Sequence, residues 1–171
     1  MNRSVAGRRS FEVVGHPLGA GRQRESWGVH VIPWRNLRKV YGVLRRHELL
    51  ALLVDWGYRE DGIPVRLFGA WTTLPAGPAA LAAKTGATIL PIAIRRQAND
   101  HFLVEVDQPI EVPSSDPADL QRASQAMAAA LERTIGAAPD QWYSFKPMWP
   151  ATAAEADALA ARAERMAGNL R

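Results

Sequence analysis

The feature that most constrains this chain is Leu49–Val54, an unbroken apolar run that stops at Asp55. A run with no polar alternation has both faces turned from water, which is the signature of an interior strand in a parallel sheet. Parallel strands need crossover connections, so helices should flank the run on either side. That predicts an α/β fold. It also puts Asp55 at the carboxyl end of a strand, the side on which open α/β sheets gather ligands.

The flanking segments fit. Phe11–Val14 and Val29–Ile32 are short strand candidates, the second closed by Pro33. Asn36 can cap a helix running to about His47, whose Leu37, Val40, Tyr41 and Leu44 follow core spacing. Asp61–Gly62 signals a turn before a strand at Val65–Phe68. An alanine-rich helix is predicted from Pro75 to about Lys84, with Gly86 just past its end. Ile89–Ile94 is a second apolar run, in which Pro91 removes a ladder donor and argues for an edge or a bulge. His101–Asp107 alternates, with Phe102, Val104 and Val106 on one face, and can pair back on the preceding strand.

Asp116, Pro117 and Asp119 start an amphipathic helix that continues to Gly136. Residues 139–150 are aromatic and bounded by prolines, so they should wrap the fold as ordered irregular chain. Thr152 and Glu155 then fit a capping box for a terminal helix with a narrow seam of Ala156, Leu159, Ala163, Met166 and Leu170. The organisation expected is a flexible segment at 1–10, one α/β domain at 11–150, and an amphipathic helix at 151–171.

Charge is uneven along the 171 residues. Residues 1–48 hold 10 Lys/Arg against 3 Asp/Glu, a net of +7, and residues 49–171 hold 11 against 14, a net of −3. Such a basic region suits an anionic partner: phosphate-bearing lipid, membrane headgroups or nucleic acid. No apolar run approaches the ~20 residues that a membrane-crossing helix needs, so any membrane association of these residues is expected to be peripheral. With no cysteine, thiol nucleophiles and cysteine-ligated zinc are excluded.

Catalytic motifs are scarce. There is no G-x-S-x-G elbow and no G-x-x-x-x-G-K-[ST] phosphate loop. His16, His30, His47 and His101 form no metal-ligand pair at helical spacing, so no metal is expected.

Several blocks in order carry a resemblance. Asn36–Arg46 followed by Leu50–Gly57, then Val65–Gly69, Leu74–Ala82, Lys84–Ala87 with Ile89–Pro91, and Pro139–Trp142 resemble the bacterial lipid A late acyltransferases and the phosphatidylinositol mannoside acyltransferases. The likeness spans roughly residues 11–150. It implies a layered α/β acyltransferase fold with a mostly parallel central sheet flanked by helices and a groove for the acyl chain. It also implies transfer of a fatty acyl group from an acyl carrier protein or coenzyme A thioester to a hydroxyl of a membrane glycolipid. That work would be done at the cytoplasmic face of the membrane, with no cofactor beyond the thioester co-substrate and no nucleic acid partner.

The family's base is a histidine with an acid five positions later, which orients the ring and supports its charge. Here the fifth residue on is Gly21, Arg35, Leu52 or Val106, and none is an acid. No residue therefore inherits the catalytic role. The resemblance implies that the dyad and a hydrophobic anchor precede the segment matched by Phe11–Gly28, so that the fold is missing its N-terminal portion. A chain of this kind is expected to be inactive in isolation, or to serve as a non-catalytic headgroup-binding remnant.

Three positions match the family as substrate-binding residues. Arg24 is expected to grip a phosphate or head group, since a guanidinium offers two parallel donors. Asp55 is expected to position the acceptor, and Gly77 to lie in the substrate loop.

Overall fold

The computed structural model describes residues 11–15, 26, 29–33 and 36–168. By compactness the chain divides into two units, Met1–Leu53 and Val54–Arg171. Both helices and strands are present throughout, as an α/β reading requires.

In the first unit β1 (Phe11–Gly15) lies between β2 (Val29–Pro33) and β3 (Leu49–Ala51), and both pairings are parallel. Helix α1 (Leu37–Arg45) connects β2 to β3. The Asn36 side chain accepts the Lys39 amide at 3.2 Å, satisfying one of the donors a helix start leaves open. Val40 and Val43 are the fully buried positions of α1, while Leu37 in its first turn is exposed. Among the described residues β3 has β1 as its single neighbour and stops at Ala51, although the apolar run continues to Val54. Leu49 and Leu53 are exposed, so the interior position expected of this run is not what the described strands provide.

The second unit is built on the hairpin of β4 (Ile63–Leu67) and β5 (Ala70–Leu74). Phe68 and Gly69 make its turn with φ of 51° and 76°, the left-handed pair that matches the twist of the strands. Helix α2 (Gly77–Thr85) follows, and Gly86 closes it at φ 70° with its amide on the Ala82 carbonyl at 2.8 Å. The helix starts two residues later than expected, with Pro78 and not Pro75 in its first turn.

Helix α3 (Pro117–Ala137) and helix α4 (Ala153–Met166) both pack on β4. Val65, Leu67, Leu74, Ala79, Met127 and Met148 form the heart of the resulting core. Two glutamine amides finish exposed backbone. Gln125 of α3 pairs with both the N–H and the C=O of Arg66, at 2.8 and 2.9 Å. Gln141 does the same for Arg96, at 2.8 and 3.0 Å.

The aromatic segment wraps the second unit, as its prolines suggested. The Thr72 hydroxyl donates to the Met148 carbonyl, and the Trp149 indole donates to the Leu67 carbonyl at 3.3 Å.

Strand β6 (Ile92–Arg96) and strand β7 (Phe102–Val106) pair antiparallel, with Ile92 opposite Val106 and Ile94 opposite Val104. Pro91 falls just before the pairing begins. Phe102, Val104 and Val106 share a face, as their alternation predicted, but that face is open to solvent, with Phe102 64% and Ile94 67% exposed. The opposite face carries the Arg95–Glu105 ion pair at 2.6 Å.

Candidate functional site

Val54 and Ala76 are both half-buried against the core of the second unit. Asp55 and Gly77 therefore each follow a residue anchored in one hydrophobic cluster. Beyond Val54 the chain runs Asp55-Trp56-Gly57-Tyr58, and each of these meets the aromatic segment.

Asp55 is half-buried, and its Oδ2 accepts the Trp142 indole N–H at 3.3 Å. A tryptophan uses its ring for packing and its single donor for aim, so this contact fixes the carboxylate without consuming it. Among the described residues Oδ1 has no hydrogen-bond partner.

Trp56 is half-exposed, and the Lys146 ammonium sits 4.1 Å from its ring centroid. At Gly57, φ is 105°, and an added Cβ would lie 2.9 Å from the Lys146 Cβ and 3.2 Å from the Pro147 oxygen. Only glycine lets the two segments pass so closely. The Tyr58 amide then donates to the Pro147 carbonyl at 2.8 Å. Burial pushes the Tyr58 hydroxyl above its ordinary pKa, and the Glu155 and Glu60 carboxylates add to the effect. The phenol is thus a neutral group at physiological pH and not a base.

The result is a seam of four consecutive residues, 55 to 58, closed against 142 to 147. It presents a carboxylate oxygen, an ammonium and two indoles. Such a set can take a hydroxyl on the acid and an anion on the cation.

Gly77 is the exposed first residue of α2, and nothing lies within 4 Å of a Cβ built there. No described residue approaches it closely enough to require glycine. Arg24 and His16 lie outside the described residues. His30, His47 and His101 are all exposed. An open hollow of about 380 Å³ lies elsewhere on the second unit, lined by Ile94, Arg96, Phe102, Asp140, Gln141 and Tyr143. Neither Asp55 nor Gly77 lines it.

Trp142, Trp56 and Lys146 were not legible as site residues. The one signal was the density of aromatics and prolines in 139–150, which says that the segment packs but not on what.

Residues 4–150 match the family described as bacterial lipid A biosynthesis acyltransferase. The chain belongs to that family. Among curated relatives, the phosphatidylinositol mannoside acyltransferase of Mycobacterium tuberculosis (strain ATCC 25618 / H37Rv) is 31% identical over 137 residues. That alignment covers 77% of this chain and 42% of the relative. The protein of the same name from Mycolicibacterium smegmatis (strain ATCC 700084 / mc(2)155) is 29% identical over 131 residues, covering 74% of this chain and 42% of its own length. The chain thus spans about two-fifths of the length of the curated relatives it matches. The matched region of the acyltransferase family includes the whole Asp55–Lys146 seam.

Proposed function

We propose that this chain forms the acceptor-binding part of a glycolipid acyltransferase, holding a membrane glycolipid whose hydroxyl receives a fatty acyl group. The donor in this reading is an acyl carrier protein or coenzyme A thioester. The acceptor is of the lipid A precursor or phosphatidylinositol mannoside type. The fold in this reading is the layered one with a mostly parallel central sheet, to which the parallel β2-β1-β3 pairing would contribute.

The observation that carries the proposal is the aimed carboxylate. Asp55, the acid that the resemblance implies positions the acceptor, is oriented by Trp142 and keeps Oδ1 open for a substrate hydroxyl. An acid that accepts the hydroxyl's hydrogen bond orients the oxygen lone pair toward an incoming thioester carbonyl. The transfer itself joins that oxygen to the acyl carbon, expels the thiolate, and needs a base to take the hydroxyl proton. Since no histidine here is followed by an acid at the fifth position, these residues bind acceptor and make no transfer on their own.

Peripheral contact with the cytoplasmic face of the membrane goes with this reading. No helix among the described residues is long and apolar enough to cross a membrane.

The test is binding and turnover by the purified chain. Vesicles carrying phosphatidylinositol mannoside should be bound, and Asp55→Asn should weaken that binding several-fold. Mass spectrometry of glycolipid incubated with acyl-coenzyme A should find no added acyl chain. Equal binding by Asp55→Asn would overturn the acceptor assignment, and an acylated product would overturn the claim of inactivity. The missing dyad also favours a second reading, a module that binds headgroups and never took part in chemistry. Acyl transfer restored by a separately supplied H-x-x-x-x-[DE] segment would rule that out.

A further inference from the structure

We infer that Lys146 is the anion-gripping residue of this site: its ammonium, held over the ring of Trp56, the residue that follows Asp55, takes an oxygen of a phosphate ester. This deepens the acyl-transfer reading and rests on it.

A lysine side chain on a surface ordinarily samples many rotamers, and ordering it costs conformational entropy. Three contacts limit that freedom here. Its Cβ lies against Gly57, where any larger residue would collide with it. Its neighbour Pro147 is tied by the Tyr58 amide at 2.8 Å. Its Nζ rests 4.1 Å from the Trp56 ring centroid.

A cation over a ring is held by the ring's quadrupole, so its charge is not neutralised and its N–H donors stay available. That separates Lys146 from the guanidinium groups of Arg46, Arg59, Arg95, Arg122 and Arg133, each of which is ion-paired to a carboxylate. Among the described residues no carboxylate lies within ion-pair distance of Lys146. The cation is positioned but uncompensated.

The neighbour on the seam selects the ligand. Asp55 offers an acceptor oxygen and repels a free carboxylate, whereas a molecule with a hydroxyl on one side and an anion on the other satisfies both groups. A phosphorylated polyol or sugar has that form. The names of the relatives agree, because phosphatidylinositol carries a phosphodiester on a polyhydroxylated ring. The donor could supply the same chemistry through the phosphates of coenzyme A or phosphopantetheine.

The two sources are told apart with the full chain and two probes: phosphatidylcholine vesicles containing phosphatidylinositol, and coenzyme A in solution. Lys146→Gln should weaken one of the two roughly fivefold, the scale of a single basic residue at an anionic surface. Lys146→Arg should restore most of the loss. Trp56→Leu, which keeps the lysine and removes its support, should weaken the same probe by a smaller factor. Loss on the vesicles assigns Lys146 to the headgroup, and loss on coenzyme A assigns it to the donor. Unchanged binding of both probes by a folded Lys146→Gln overturns the assignment. If Asp55→Asn weakens vesicle binding while Lys146→Gln weakens neither probe, Lys146 falls and the acceptor reading survives. A wild-type chain that binds neither probe ends both.

Discussion

The indole nitrogen of Trp142 donates to Asp55 across 3.3 Å, joining residues 87 positions apart in the chain. Trp142→Phe keeps the aromatic packing and deletes the donor, leaving a half-buried carboxylate unaimed. A hydrogen bond to a charged group contributes about 1.5–3 kcal/mol, and the long distance and partial exposure put this one at the low end. Thermal unfolding should therefore fall by a few degrees, with glycolipid binding reduced alongside it. A variant that loses neither would show that Trp142 only packs.

Gly62 follows Asp61 at the turn into β4, and its space is taken from the other side. An added Cβ would lie 2.7 Å from the Thr73 Cβ and 2.8 Å from the Leu74 carbonyl oxygen. Neither can move, because Thr73 is buried and its hydroxyl donates to the Arg59 carbonyl at 2.6 Å. Gly62→Ala should cost about 1–3 kcal/mol, read as a lower midpoint in urea. Arg162 reinforces this turn by donating to the Glu60 and Gly62 carbonyls, so the loss should be seen in α4 as well.

What was legible in the sequence was the chemistry that acts over three or four residues. Asn36 before α1, Gly86 after α2, and Thr152 with Glu155 before α4 each satisfy a donor or acceptor a helix end would otherwise leave open. The pairing of β6 with β7 was legible for the same reason, since its short connection leaves few registers. The environment of each element was not. Alternation put Phe102, Val104 and Val106 on one side of β7 but carried no sign of whether that side meets a core or water. The uniform run Leu49–Val54 suggested two covered faces, yet Leu49 and Leu53 are exposed. The site was half legible. Asp55 announced itself by ending an apolar run, whereas Trp56 and Lys146 acquire meaning only once residues 142–147 fold back over 55–58.

The Glu155 carboxylate titrates below its ordinary range. The Thr152 backbone amide lowers it most, and the Thr152 hydroxyl adds to that. A carboxylate depressed in the folded state stabilises that state at neutral pH, and the contribution disappears as pH falls through the folded-state value. The start of α4 should therefore weaken in acid. Thr152→Ala should cost about 1 kcal/mol at pH 7, as other N-cap losses do. Its deficit relative to wild type should shrink in unfolding curves taken below the ordinary glutamate range. A deficit that stays constant with pH would mean that the cap works through the hydroxyl alone.

The hairpin of β6 and β7 exposes Ile92, Ile94, Phe102, Val104 and Val106 on one face, each more than half accessible. Among the described residues it is a two-stranded sheet with no further strand on either outer edge, Gln141 closing only the Arg96 groups. Contiguous apolar side chains beside open strand edges favour association between copies of a chain. Replacing Ile94 and Phe102 by threonine removes apolar surface while keeping a residue type that strands accept. The double variant should sediment with less self-association than wild type at equal concentration, and its stability should change by no more than about 0.5 kcal/mol per site because neither side chain is buried. A large drop in stability would instead mean that this face is covered in the folded protein in solution. Self-association equal to that of wild type would move the contact to another surface, with exposed Tyr143 and Phe145 the next residues to change.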